Sequence, residues 1–447
     1  MAGSPFDSTL YRDLFGDPDV TTLFSDRAEI RALLLVEATL ATAQASEGII
    51  PSDAADAIAK AARAVDIDPA TLAPKTGMNG TPVPGLVAAF RQAMNAPEHA
   101  QFVHWGATSQ DIADTGLVLR LRQALRLYRS RIAEILAALA ELASDHAETV
   151  MAGRTFGQNA SPTSFGAIVA GWGQPLLRRA YALPDIEDDV LQVSLSGAAG
   201  TLSAMGPYGP KVRARMAAEL GLIDPGGTWH SARDGIAGLG GWMTQTAGTL
   251  GKMGDDKFLL SQSGIEEIGF AGAGTSSTMP QKANPIAASK LAALARHCTA
   301  LNTGLQGAVI HRQQRDGAAL MGEWMSLPQM CLCLGTALLT TQKLLGDLQV
   351  NSDRMARNLD DGIGLIHAEG LTFALARKMS RPDAQAFIKT LCSEAIETGT
   401  TLGELVARDH GPEVLEELRA DAALGQAPDE ARGFAAAVQE FLADQPE

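Results

Sequence analysis

Positive charge is scarce in this sequence: 36 lysines and arginines stand against 51 aspartates and glutamates, a formal net charge of −15. A field of that sign repels phosphate backbones and anionic lipid, which argues against nucleic-acid and membrane partners. Any cations that hold an anionic substrate must therefore be local. Cysteine is sparse too. Cys298, Cys331, Cys333 and Cys392 lie in or near apolar, helix-like segments without the paired spacing of a zinc site, which predicts buried free thiols and a reducing compartment. No uncharged run that is also predominantly apolar reaches the ~20 residues of a membrane helix, and the longest candidate, "LPQMCLCLGTALLTT", carries Pro328. The opening "MAGSPFDSTLYRDLFG" lacks a basic region followed by an apolar one, so a cytoplasmic location is expected. Strand-like alternation is almost absent and aromatics make up only 5% of residues. The fold class expected is all-α. We find no internal repeat and no low-complexity tract.

What is present is helical periodicity over a length of 447 residues, with 46% hydrophobic content to fill two or three domains. From Ser25 to Glu47 a capping serine, an early acid and an apolar stripe predict a helix that Gly48 ends. Between Gly85 and Gly106 proline, glycine and histidine punctuation marks a seam. From Asp111 to His146 no proline interrupts, and Leu121, Leu125, Tyr128, Ile132, Ile135, Leu139 and Leu142 recur at steps of four and three. That 3.5-residue seam predicts a long helix packed lengthwise in a bundle. Further helices are expected at about 164–183, 231–263, 285–305 and 318–348. The domains expected are 1–105, a central bundle 106–350, and a C-terminal helical domain 351–447 that begins at the cap in "NSDRMARNLD".

The densest chemistry lies in "GTSSTMPQKANP", Gly274 to Pro285. Asn284-Pro285 reads as a helix start, whose positive end, with Lys282 beside it, forms an anion site under a glycine-rich lid; a solvated interhelical loop is the plainer alternative. The segment resembles the signature loop of the fumarase/aspartase superfamily. "HWGATSQDIADTG" (His104 to Gly116) and "GRTFGQNASP" (Gly153 to Pro162) are similar to that family's two carboxylate-binding regions, in the same order and spacing. Within the superfamily the wording is most similar to the bacterial 3-carboxy-cis,cis-muconate cycloisomerases, through "GAAGTLSAMG", "TWHSARD" and "EWMSLP" as well.

The resemblance implies a three-domain, all-α homotetramer whose long central helices form a twenty-helix core, with each active site shared between three subunits. It implies a small polycarboxylate substrate and no metal or redox cofactor. Ser276 would be the proton-transfer residue at a carbon alpha to a carboxylate, and Lys282 and Asn284 would bind that carboxylate. Thr108, Ser109, Thr155, Gln158, Ser277 and Met279 would line the substrate site, with Arg315 and His230 as further contacts and His104 as a second catalytic candidate. Thr155 and Gln158 would equally serve as helix caps, His104 as a satisfied structural histidine, and Arg315 as a surface ion pair. Glu266 and Glu267 are either proton-transfer helpers or a solvated face.

One departure is informative. Most of the superfamily carries histidine where Phe156 stands. An amine leaving group needs a proton donor there, whereas a lactone that opens expels a carboxylate of ordinary pKa near ~4 and needs none. Phenylalanine thus favours lactone chemistry. Ala283 and Gly157 pull the other way, since the cycloisomerases carry arginine in place of Ala283 and the wording at Gly157 is nearer the adenylosuccinate lyases. A fumarate-releasing lyase and a non-catalytic structural relative stay as alternatives, told apart by a fumarate assay and by the effect of Ser276→Ala.

Overall fold

A computed structural model of the chain describes residues 3–271, 274–275, 278–279, 282–359, 362–418 and 424–444. The principal helices are α1 (Asp26–Ser46), α2 (Ser109–Asp145), α3 (Phe165–Tyr181), α4 (Asp234–Leu260), α5 (Ile286–Gly307), α6 (Gly317–Gly346), α7 (Arg381–Thr398), α8 (Leu402–His410) and α9 (Ala427–Ala443). No helix among the described residues is long and apolar enough to cross a membrane. The chain divides into two compact units, Met1–Arg131 with Arg179–Gly248 and Leu294–Leu339, and Ile132–Arg178 with Thr249–Ala293 and Thr340–Glu447. The all-α expectation holds, with short strands added.

In the first unit α1 starts where the sequence places it: Ser25 Oγ accepts from the Ala28 N–H at 3.3 Å, and Gly48 leaves the helix at φ 73°. Its apolar stripe, Leu33, Leu34, Val36 and Leu40, is buried in a core with Ile58, Phe90, Ile112 and Met216. α2, whose residues 109–131 belong to this unit and 132–145 to the second, runs 37 residues, about 55 Å at 1.5 Å per residue. The 3.5-residue seam is buried from Leu121 through Leu139, and Leu142 is half-buried where the helix nears its end. Asp17 caps a short helix, Pro18–Leu23, and also pairs with the buried Arg131. Cys298, Cys331 and Cys333 are buried here; Cys392, in the second unit, is half-buried, and all four are free. Burial pushes the Cys298 thiol up to about 11 and Cys331 to about 12, so both are inert.

The second unit corrects the near-absence of strands. β1 (Val150–Thr155) and β2 (Gln158–Ser164) form an antiparallel hairpin, with a register shift between Ala152 and Arg154. β3 (Ile268–Phe270) pairs with β6 (Leu348–Val350), and β4 (Gly274–Thr275) with β5 (Ala283–Asn284). α3 meets α9 at Gly173, where a Cβ would fall 2.0 Å from the Phe434 ring, so only glycine fits. Leu371, Leu375, Ile388, Leu391, Leu402 and Val406 form a separate apolar cluster around α7 and α8.

Candidate active site

At the start of α2 the first unit holds a cavity of about 410 Å³ lined by Ser109, Gln110, Ala198, Ala199, Arg315 and Trp324, among others. Thr108 is the N-cap of α2. Its carbonyl accepts from the Asp111 N–H at 3.0 Å, and its own N–H donates to Asp111 Oδ2 at 2.9 Å, the acid-to-cap half of a capping box. The Thr108 hydroxyl instead accepts from Arg315 Nη1 at 2.7 Å. Arg315 is thus drawn to the cavity rather than paired with a surface acid. Two buried polar atoms at this cavity, Thr81 Oγ1 and Gln110 Oε1, have no hydrogen-bond partner among the described residues. A wall with one cation, hydroxyls and open hydrogen-bonding capacity suits a carboxylate-bearing ligand.

Asp111, fully buried, is a residue that sequence reasoning passed over. Its Oδ1 accepts from Ser196 N at 2.7 Å and pairs with His230 Nε2 at 2.8 Å, while Oδ2 also accepts from Gly197 N at 3.0 Å. His230 is 1% exposed and is not among the residues that line the cavity; it is spent on Asp111. Behind it Arg233 bridges Asp114, at 2.9 and 3.1 Å, and Glu323 Oε2, at 2.9 Å, with all three buried and Trp229 stacked over the guanidinium. Burial holds the Glu323 carboxyl above its usual range despite Arg233.

His104 sits at φ 62° with Nδ1 2.7 Å from Oε1 of the buried Glu37. Burial pulls its pKa down, but the hydrogen bond and charge of Glu37, with the charge of Asp111, outweigh this and leave it raised. His104 therefore keeps a proton more readily than a free imidazole.

In the second unit Thr155, Phe156 and Gln158 are exposed at the tip of the β1–β2 hairpin, so neither Thr155 nor Gln158 caps a helix. Phe156 and Gly157 form its two-residue turn at φ 51° and 76°, the left-handed pair of a type I′ turn. Arg154 anchors the hairpin through two 2.7 Å hydrogen bonds to Glu267, which is buried and also accepts from Asn358 at 2.9 Å. Glu267 is therefore not part of a solvated face; Glu266 is exposed. Ser276 and Ser277 lie outside the described residues. The loop that contains them is closed by the β4–β5 pair, with Gly274 opposite Asn284. Lys282 and Met279 are exposed, and half-buried Asn284 lines a cavity of about 170 Å³ with Lys290 and Lys343.

Comparison with known proteins adds three kinds of finding. The sequence model of the lyase family matches residues 17–299. A 3-carboxy-cis,cis-muconate cycloisomerase of Pseudomonas aeruginosa is 37% identical over 393 residues, 87% of this chain and 86% of that protein. The crystal structure of 3-carboxy-cis,cis-muconate lactonizing enzyme from Pseudomonas putida superposes with a TM-score of 0.91 at 32% identity, covering 97% of this chain and all of that one. That of beta-carboxy-cis,cis-muconate cycloisomerase from Acinetobacter calcoaceticus sp. ADP1 gives 0.89 at 31% identity, covering 96% and 100%.

Proposed function

Because the chain belongs to the lyase family, within the fumarase/aspartase superfamily, we propose that it is a 3-carboxy-cis,cis-muconate cycloisomerase of aromatic catabolism. The observation that carries this reading is Phe156, an apolar ring presented fully exposed at a hairpin tip, where the resemblance puts a histidine in most of the superfamily. With no acid at that tip, the oxygen that leaves and re-adds must need no proton. A carboxylate meets that condition.

In the forward reaction one carboxylate oxygen of the trianionic diene bonds to an alkene carbon. The π pair moves toward a second carboxylate to give an aci-carboxylate, and the alpha carbon takes up one proton to leave a dianionic lactone. Ser276 is the proton-transfer residue of this scheme. Lys282, Asn284 and the positive end of α5 stabilise the aci-carboxylate, and donors placed before the reaction make that the largest catalytic contribution. Thr108, Ser109 and Arg315 hold a carboxylate at the cavity, where Arg315 supplies a cation that the loop lacks at Ala283. Thr155, Gln158, Ser277 and Met279 are further substrate contacts of the scheme, with His104 as a proton reservoir. The working form is a cytoplasmic homotetramer with sites shared between subunits, built from segments 1–105, 106–350 and 351–447.

The test is direct. Purified protein is mixed with 3-carboxy-cis,cis-muconate and loss of the conjugated-diene absorbance is followed, with adenylosuccinate run in parallel. Turnover of the muconate is expected, and Ser276→Ala should lower kcat by ~10²–10⁴. Turnover of adenylosuccinate and not of the muconate overturns the reading.

A further inference from the structure

The start of α2 carries buried polar side chains in register: Gln110, Asp111, Asp114 and Thr115 are each under 5% exposed. Three of them grip neighbouring chain by ordinary means. Thr115 Oγ1 donates to Ser194 O at 3.1 Å and accepts from Ser194 N at 2.9 Å, Gln110 Nε2 donates to His230 O at 2.9 Å, and Asp114 pairs with Arg233. Asp111 differs in kind. Its two oxygens take four donors, the N–H groups of Thr108, Ser196 and Gly197 and the His230 ring, about as many as a carboxylate has lone-pair sites. The successive N–H groups of Ser196 and Gly197 both donate to it, as consecutive N–H groups do to an anion in a nest. One side chain thereby joins the turn that bears Thr108 and Ser109 to the segment that supplies Ala198 and Ala199, two of the segments that line the 410 Å³ cavity.

We propose that Asp111 is the positioning residue of this cavity: its carboxylate, oriented by His230, fixes the Thr108–Ser109 turn and the 196–199 segment in the geometry that receives a substrate carboxylate. The proposal rests on the reading that this cavity takes a carboxylate. A helix cap alone would require only the Thr108 N–H, and the neighbouring chain is already tethered at Ser194 by Thr115. His230 sets the carboxylate's rotation from behind and acts through Asp111.

The experiment compares Asp111→Asn with Thr115→Val. Both change a buried group that holds the same segment, but only the first touches the cavity turn. For each, kcat and KM for 3-carboxy-cis,cis-muconate, the Kd of tricarballylate by calorimetry and the Tm are measured. Asp111→Asn should raise both KM and Kd at least tenfold in a folded protein, because an amide NH₂ must then face N–H donors. Thr115→Val should lower Tm while KM and Kd stay within twofold of wild type. Asp111→Asn that shifts Tm alone, or Thr115→Val that raises KM equally, overturns the proposal. Should Asp111→Asn fail to fold, His230→Asn, which removes one donor of four, should raise Kd about threefold, and an unchanged Kd has the same overturning force. Wild-type protein that binds tricarballylate without turning over the muconate defeats the assigned reaction and leaves the Asp111 test standing on Kd. Wild-type protein that binds no tricarballylate defeats the positioning role itself.

Discussion

Lys257 is fully buried on α4, and its Nζ has no hydrogen-bond partner among the described residues. The Nζ lies over the Trp172 ring, 5.3 Å from its centroid, while the Trp172 indole N–H is already committed to Asp256 at 2.6 Å. Burial alone pulls the amine down to about 7 from its ordinary 10.5. Between those values the folded chain binds fewer protons than the unfolded one, so stability rises with pH across that window. The penalty vanishes above about 10.5, grows as pH falls, and is constant below about 7. Lys257→Met should therefore stabilise the protein by on the order of 3 kcal/mol at pH 7 and by progressively less toward pH 10. Urea midpoints of the two proteins at pH 7, 8.5 and 10 measure this. A constant difference across the series would show that the amine is not deprotonated in the fold.

The β1–β2 hairpin is the element in which local preference and structure disagree. A bulky residue at φ > 0 is strained by roughly 1 kcal/mol, and Asn-Gly is the pair that suits a type I′ turn. Phe156→Asn should accordingly raise Tm by a few degrees while kcat/KM for 3-carboxy-cis,cis-muconate stays within about threefold, since neither side chain is a proton donor. A loss of tenfold or more would show that the ring itself contacts the substrate. The same hairpin explains what the sequence concealed. The α2 seam was legible because one period persisted over three heptads, and the cap and stop of α1 because Ser25 and Gly48 act locally. In 150–164, Gly153 and Pro162 interrupt any alternation, the register shifts mid-strand, and Phe-Gly carries none of the usual turn signal. The buried charges were hidden for another reason. Asp111 and His230 are 119 positions apart, Arg154 and Glu267 are 113, and nothing near any of them distinguishes a paired core charge from a solvated one. Of the motif residues, Lys282 and Asn284 were legible beside the helix start at Pro285, whereas exposed Thr155 and Gln158 have no local signature and were readable only through resemblance.

At the scale of the whole molecule, the proposed site residues fall on both compact units: Thr108, Ser109 and Arg315 belong to the first, and Thr155, Phe156, Lys282 and Asn284 to the second. Large apolar side chains remain open on the long helices as well, Met325 at 67% and Met321 at 45% on α6, and Leu259 at 54% and Phe258 at 43% on α4. The homotetramer proposed above would cover such faces with identical copies in closed symmetry. If each site draws Arg315 from one copy and Lys282 from another, then Arg315→Ala and Lys282→Ala are each inactive for different reasons. Mixed tetramers of the two would contain some sites in which both contributing copies carry the intact residue, about a quarter of the total for random assembly. Co-expression of the two variants with separate affinity tags, tandem purification of mixed assemblies and assay with 3-carboxy-cis,cis-muconate should thus recover up to about a quarter of wild-type kcat from two dead parents. Recovery also requires that the variants fold and assemble, which gel filtration of each parent checks beforehand. Mixed assemblies of the expected mass with activity no higher than either parent would place Arg315 and Lys282 of every working site on a single chain, and the shared-site arrangement would have to be given up even if the muconate is turned over.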